Sequence, residues 1–218
     1  MGKIKISPSL LSVDIGNIQR DVEFLADHVD YFHVDVMDGH FVPNLSFGVP
    51  VVKGLKKFTD VPLDVHLMID NPSKYIEPFI NAGSDIVTVH VEVEDDIMWC
   101  LKKIKEMGAK SGLALNPDTD PEKLKPYLEY TDMVLQMTVF PGFGGQSMVE
   151  EAIKNISVIR NLIGDQDLEV DGGITAENVD VLVKEGANVI VSGSGIFKYD
   201  DISLAAENLR KAANGGVL

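Results

Sequence analysis

The sequence predicts an α/β fold, a closed (β/α)8 barrel forming a single domain over residues 1–218, and three observations lead there. Eight short β-branched runs alternate with longer amphipathic segments, the pattern of βα units around a parallel sheet. The 218 residues contain no linker-like stretch, and barrels of this kind commonly use about 200 to 250 residues as one unit. No dinucleotide fingerprint follows the first run, so the open doubly wound sheet, the other architecture with this alternation, lacks its usual mark.

The strand-like runs fall at residues 4–10, 31–36, 63–69, 85–91, 111–115, 133–139, 168–170 and 188–192. Between them, segments such as 17–25 and 97–107 carry apolar residues at helical spacing. Helix starts are marked by Pro72 with Ser73, by Asp120-Pro121-Glu122 and by Thr175 with Asn178, where proline and small polar or acidic residues suit a first turn. Gly83, Gly108 and Gly186 each follow a helical run and precede a strand, where a helix closes in the left-handed conformation.

Lys and Arg number 19 against 34 Asp and Glu, a formal net charge of −15. That balance repels phosphate backbones and anionic membranes at long range, so neither nucleic acid nor a membrane surface is expected as a partner. A small anionic substrate stays open, because backbone amides and helix N-termini hold phosphate without Lys or Arg. Cys100 is the single cysteine, and Met1-Gly2-Lys3-Ile4-Lys5 contains no signal-peptide core. No apolar stretch approaches the roughly 20 residues that span a bilayer. The expected setting is cytoplasmic.

In a βα barrel the working face is the C-terminal end of the strands. On the second run His33 and Asp35 alternate with Phe32 and Val34, which turns both polar side chains toward the lumen. His66 holds the equivalent place on the third run, and Asp171 ends the seventh, directly before Gly172 and Gly173. A lone strand histidine is ordinarily a satisfied core or rim group. Four such groups at corresponding strand ends, with no Lys or Arg there to neutralise the carboxylates, suit one divalent ion such as zinc, manganese, iron or cobalt.

Gly142, Phe143, Gly144 and Gly145 after the sixth run, Gly172 and Gly173 after the seventh, and Gly193 and Ser194 after the eighth form a second constellation. Any one glycine serves a tight turn. Three such loops in succession at the end of a barrel point to a phosphate site made of backbone N–H groups. Met37, Met68 and Met137 near three strand ends are core filler by default, with an apolar cap over a reactive intermediate as the functional alternative. His90 and Glu92, at the end of the fourth run, are candidate supports for the site. His28 is placed at a helix end, His40 in a loop, Trp99 and Cys100 inside a helix, and the acidic stretch 92–96 in a solvated connection.

The strings His33-Val34-Asp35-Val36-Met37-Asp38-Gly39, Asp64-Val65-His66-Leu67-Met68, Met137-Thr138-Val139-Phe140-Pro141-Gly142-Phe143-Gly144-Gly145 and Val170-Asp171-Gly172-Gly173 closely resemble the ribulose-phosphate 3-epimerase family. The match runs in order and spacing from Ser7 to Ser194. The resemblance implies a TIM barrel and an isomerase of the pentose phosphate pathway or of carbon fixation, which interconverts D-ribulose 5-phosphate and D-xylulose 5-phosphate through an enediolate. It also implies one divalent metal ion and a homo-oligomer, dimer or hexamer. It places the metal ligands on His33, Asp35, His66 and Asp171, and the two acid/base groups on Asp35 and Asp171. Substrate contacts fall on Ser9, His66, Asp171 and the three glycine loops, and the cap on the three methionines.

Phe140 departs from the polar residue that the family usually carries before this proline, and opens the six-carbon alternative, D-allulose-6-phosphate 3-epimerase. Two readings from other classes find less support. A non-catalytic phosphate-binding barrel predicts the loss of a ligand or an acid/base group, and all are present. A Schiff-base aldolase needs a strand-end lysine, whereas Lys110 precedes its strand and Lys198 follows the last glycine loop.

Overall fold

The computed structural model describes residues 3–216; Met1 and Gly2, the start of the stretch read for a leader, and residues 217–218 lie outside it. Eight strands, β1 (Lys5–Pro8), β2 (Phe32–Met37), β3 (Leu63–Met68), β4 (Ile86–His90), β5 (Lys110–Leu115), β6 (Met133–Met137), β7 (Asp167–Asp171) and β8 (Val189–Ser192), pair in the order β1-β8-β7-β6-β5-β4-β3-β2. All seven ladders are parallel. The remaining seam, β1 against β2, is thin: an isolated bridge joins Ser9 to His33, and the Ile6 carbonyl accepts from the N–H groups of Asp30 and Tyr31. The predicted barrel is borne out, with its weakest joint beside His33. The run expected over 4–10 pairs only to Pro8, because Ser9 caps a 3-10 turn at Leu10–Ser12 by accepting from Leu11 N–H.

Helices α1 (Ile18–Leu25), α2 (Val49–Leu55), α3 (Ile76–Ala82), α4 (Ile97–Glu106), α5 (Glu150–Ile163) and α6 (Val179–Glu185) lie between strands, while α7 (Ser194–Phe197) and α8 (Ile202–Ala213) follow β8. Alternation along each strand sends one set of residues outward to meet these helices. Val34, Val36, Val65 and Leu67 share one apolar cluster with Val22, Leu25, Val52 and Ile76 of the helices. The β5–β6 connection breaks the expected pattern. Asp120-Pro121-Glu122 does start a helical segment, but a 3-10 one at Pro121–Tyr130. Pro126 in its middle supplies no N–H to an α-helical ladder, and its ring would clash with the carbonyl four residues earlier.

The N-terminal ends of the strands are fastened by aspartates. Asp30, Asp85, Asp132 and Asp167 stand at or just before β2, β4, β6 and β7, and meet Arg210 (2.7 Å), Lys56 (2.7 Å), Lys105 (2.5 Å) and Lys5 (2.5 Å). Partly exposed pairs of this kind contribute about 0–1 kcal/mol each. Their second function is to set register where a ladder begins: Asp30, Asp85 and Asp132 accept the backbone N–H of Ile6, Leu63 and Ser111 on the neighbouring strand. Asn188 does the same before β8. Its Oδ1 accepts from Leu168 N–H (2.8 Å) and Arg160 (2.9 Å), and its Nδ2 donates to Asp167 (2.7 Å). Asn188→Ala leaves the Leu168 amide without its side-chain acceptor, so urea unfolding is expected to show a loss of about 1–3 kcal/mol. Turnover of the folded variant should match the wild type, because Asn188 lies at the end of the barrel opposite the mouth.

Candidate active site

The four predicted ligands converge at the C-terminal mouth. One ligand atom from each of His33, Asp35, His66 and Asp171 lies within 4.8 Å of the other three. The parallel register of β2 and β3 sets Asp35 beside His66, and alternation along β2 gives His33 and Asp35 the same lumen face. His33 Nε2 is 3.3 Å from Asp35 Oδ1 and 4.0 Å from Asp171 Oδ2; His66 Nδ1 is 3.3 Å from the same Asp35 oxygen. Both imidazoles are wholly buried.

The donor set fits a divalent cation. His33 Nδ1 lies 2.6 Å from Asp64 Oδ2, so the ring donates there, and its buried Nε2 has no hydrogen-bond partner and faces the other three groups. A buried imidazole nitrogen facing two carboxylates is costly unless positive charge, a proton on the ring or a metal ion, sits among them. Two imidazoles and two carboxylates are ordinary ligands for zinc and related ions, and a carboxylate behind the histidine is the usual support for a metal-bound ring.

Charge and burial divide the four groups. Burial, then the Asp35 carboxylate, pushes Asp171 up to about 7. Burial also brings His66 down to about 4, so its ring is neutral. Burial alone would lower His33, but Asp35 and Asp64 outweigh it and hold the imidazole well above its usual range. Asp35 is the converse: burial works to raise it, and the His33 and His66 rings bring it below the usual carboxylate range.

Asp64 and Glu169 are site residues absent from the sequence-based set. Both are wholly buried, and Glu169 Oε1 lies 3.8 Å from His33 Nδ1. Burial, with Asp64 close by, holds the Glu169 carboxyl well above its usual range. The signal that could have found them is parity: Asp64 stands two before His66 on β3 and Glu169 two before Asp171 on β7, so each turns into the lumen.

Above this floor Ser9, both ligand aspartates, the three methionines and all the glycine-loop residues named from the sequence line one cavity. No Lys or Arg is in that lining. Ser9 Oγ donates to Asp35 Oδ2 at 2.6 Å. Gly173 has φ +67°, and a Cβ there would stand 2.5 Å from the Gln146 carbonyl, so the loops after β6 and β7 touch through backbone. Met37 and Met68 pack with Val42, and Met137 with Val139.

The acidic stretch expected as a solvated connection is instead largely engaged. Glu92 Oε1 accepts from Asn116 N–H (2.8 Å) and the Thr119 hydroxyl (2.5 Å), and Oε2 lies 2.9 Å from His90 Nδ1. Asp95 accepts from Ser73 N–H, and Asp96 caps α4 through Trp99 N–H. The reason is position: the stretch crosses the top of the barrel, where orphan amides at loop and helix starts need acceptors. Cys100 lies buried in α4, where burial pushes its thiol up to about 12.

The family model described as Ribulose-phosphate 3 epimerase family matches residues 5–197. The chain belongs to the ribulose-phosphate 3-epimerase family. Ribulose-phosphate 3-epimerase of Bacillus subtilis is 41% identical over 215 residues, covering 95% of this chain and 98% of the relative. That of Rhodobacter capsulatus is 43% identical over 203 residues, covering 92% and 89%. The crystal structure of 3-hexulose-6-phosphate synthase from Salmonella typhimurium shares the fold, with a TM-score of 0.70 and 19% identity over 98% of this chain and 100% of that one. As a member of the ribulose-phosphate 3-epimerase family this protein is an enzyme, an epimerase. None of the described helices is long and apolar enough to cross a membrane.

Protons on Asp171 and His33 compete with a cation for the ligand atoms. Both groups are held above their ordinary values, so lowering the pH through about 7 protonates Asp171 and weakens metal binding. Calorimetric titration of chelator-treated protein with Zn²⁺, at pH values on either side of neutrality, should show affinity rising with pH and proton release that shrinks on the alkaline side. A pH-independent affinity would contradict the assignment.

Proposed function

We propose that this epimerase inverts C3 of a ketose phosphate, interconverting D-ribulose 5-phosphate and D-xylulose 5-phosphate, with Asp35 and Asp171 as its acid/base pair. The observation that carries the reading is that these two carboxylates line one cavity from β2 and β7, strands separated by β8 and β1 around the wall. Inversion next to a ketone removes the C3 proton from one face and delivers another to the opposite face, which requires a group on each side. Asp35 is held ionised by its imidazole neighbours while Asp171 is pushed up to about 7. Environments that separate two carboxyl groups in this way suit one to take a proton and the other to give one.

The two oxygens of Asp35 have different neighbours. Asp35 Oδ1 faces the two imidazoles, whereas Oδ2 takes the Ser9 hydroxyl. A divalent ion held by His33, Asp35, His66 and Asp171 would supply Lewis-acid stabilisation of the negative charge that develops on the substrate oxygens. Met37, Met68 and Met137, each 5% exposed or less, keep water from the enediolate. The phosphate is received by backbone N–H groups of the three glycine loops at the start of α7, an arrangement common at this end of such barrels. A cytoplasmic setting and a homo-oligomeric assembly belong to the same reading, on the family resemblance.

Phe140 is 49% exposed and stands outside the lining of the cavity. It therefore lends no support to the six-carbon substrate that its position in the sequence suggested. The test is to incubate the metal-loaded enzyme with D-ribulose 5-phosphate in deuterated water and follow C3 by NMR. Deuterium is expected at C3 together with D-xylulose 5-phosphate, and rapid turnover of D-allulose 6-phosphate instead would overturn the choice of substrate. Asp35→Asn and Asp171→Asn should each lower epimerisation by at least roughly 10²-fold to 10⁴-fold. Because one base survives in each variant, C3 exchange should persist in one of the two sugars without conversion to the other. Near wild-type interconversion in either variant would remove the assigned roles.

A further inference from the structure

We infer that Glu92 and His90 form a hydrogen-bonded chain that fixes His66 in the tautomer whose Nδ1 is bare toward the ligand cluster, an inference that rests on the metal-assisted reading above. His66 Nε2 and His90 Nε2 are 2.8 Å apart. Two imidazole nitrogens at that distance share one proton, so one ring donates and the other accepts.

The far end of the chain decides which. Glu92 Oε1 is already committed to the Asn116 amide and the Thr119 hydroxyl, and Oε2 lies 2.9 Å from His90 Nδ1. A carboxylate has no proton to give, so His90 carries its proton on Nδ1 and presents a bare Nε2. His66 must then hold its proton on Nε2, which leaves Nδ1 bare, 3.3 Å from Asp35 Oδ1. An N–H donated to that carboxylate would be expected at about 2.7–2.9 Å. At 3.3 Å the contact is long for such a bond and suits two acceptors that would hold a cation between them. A cationic His90 would reverse the outcome by donating at both ends, and would set a second positive charge against the metal site.

The rings have little freedom to escape this logic. His90 is wholly buried, lies nearly parallel to His66 and edge to edge with it at a centroid separation of 4.9 Å, and packs against Phe41 at 4.7 Å. The two ligand histidines thus present opposite ring nitrogens, Nε2 of His33 and Nδ1 of His66, and each is set by its own carboxylate, Asp64 directly and Glu92 through His90. Glu92 and His90 are positioning residues.

The test is long-range proton–nitrogen NMR on the full, metal-free protein with ¹⁵N-labelled histidine, alongside Zn²⁺ titration. The wild type is expected to show His66 protonated on Nε2 and His90 on Nδ1. In Glu92→Gln the amide oxygen stays on Asn116 and Thr119 and the amide N–H turns to His90, so both tautomers should reverse and Zn²⁺ affinity should fall on the order of 10-fold to 100-fold. His90→Gln keeps an acceptor oxygen near His66 Nε2 and should preserve the His66 tautomer, which gives a second reading if the first variant folds poorly. His66 protonated on Nδ1 in the wild type, or tautomers unchanged in Glu92→Gln, would overturn the inference. Failure of the functional reading shows separately, as absent C3 exchange in zinc-loaded wild type with the tautomer pattern intact.

Discussion

Four groups able to hold a cation are crowded face to face inside the mouth of this barrel, and the rest of the molecule is arranged around that crowding. His33 Nε2, His66 Nδ1 and oxygens of Asp35 and Asp171 sit within 4.8 Å in a space that no Lys or Arg reaches. Left to themselves, such groups would move apart or take up protons. They stay because each is rooted in a strand whose outward residues are locked in the apolar cluster beneath the helices, where full burial of a single Val or Leu contributes about 1.5–3 kcal/mol. The core thus supplies the free energy that holds an unfavourable constellation ready for a cation.

The same division runs along the barrel axis. At the N-terminal ends of the strands every clasping aspartate is matched by a Lys or Arg, so that end is electrically closed. At the mouth Asp35 meets two imidazoles and a serine hydroxyl, with no Lys or Arg beside it. One end serves register and stability, the other collects groups that could hold a metal ion, and a lysine brought to the mouth would compete with such an ion.

Strand alternation made His33, Asp35, His66 and Asp171 legible, because period two fixes which side of the sheet a residue faces once the strand is recognised. The same rule reaches Asp64 and Glu169, which were passed over because a carboxylate deeper in the lumen has no glycine loop beside it to draw attention. Other features were out of reach for physical reasons. The approach of His66 to His90 depends on how β3 and β4 meet, where His66 pairs with Thr88 rather than with His90 itself. Within the run 92–96 only Glu92 stands out, by its place at the strand end, and the amide that its carboxylate accepts from belongs to the next loop, at Asn116. The 3-10 segment after β5 was half visible: the proline start suits either kind of helix, and Pro126 is what selects the tighter one.

A chain with net charge −15 can still receive a phosphorylated sugar, because the field that matters is local. In the reading proposed above, a divalent ion among the ligands offsets the two ligand carboxylates, so the anion meets amides rather than uncompensated acid. Glycine loops then do what side chains do elsewhere, since bare N–H groups reach the ligand closely. This has a consequence for selectivity. In the same reading, with Phe140 outside the lining, the distance from the aspartates to the phosphate would be set by the glycine loops, which leave no room for a side chain where Gly173 approaches the Gln146 carbonyl and Gly193 approaches Ser12. In that reading a ketose with one more carbon would have to bend or shift its phosphate to keep C3 between the carboxylates, and closely packed glycine loops would resist that shift more than a swinging side chain.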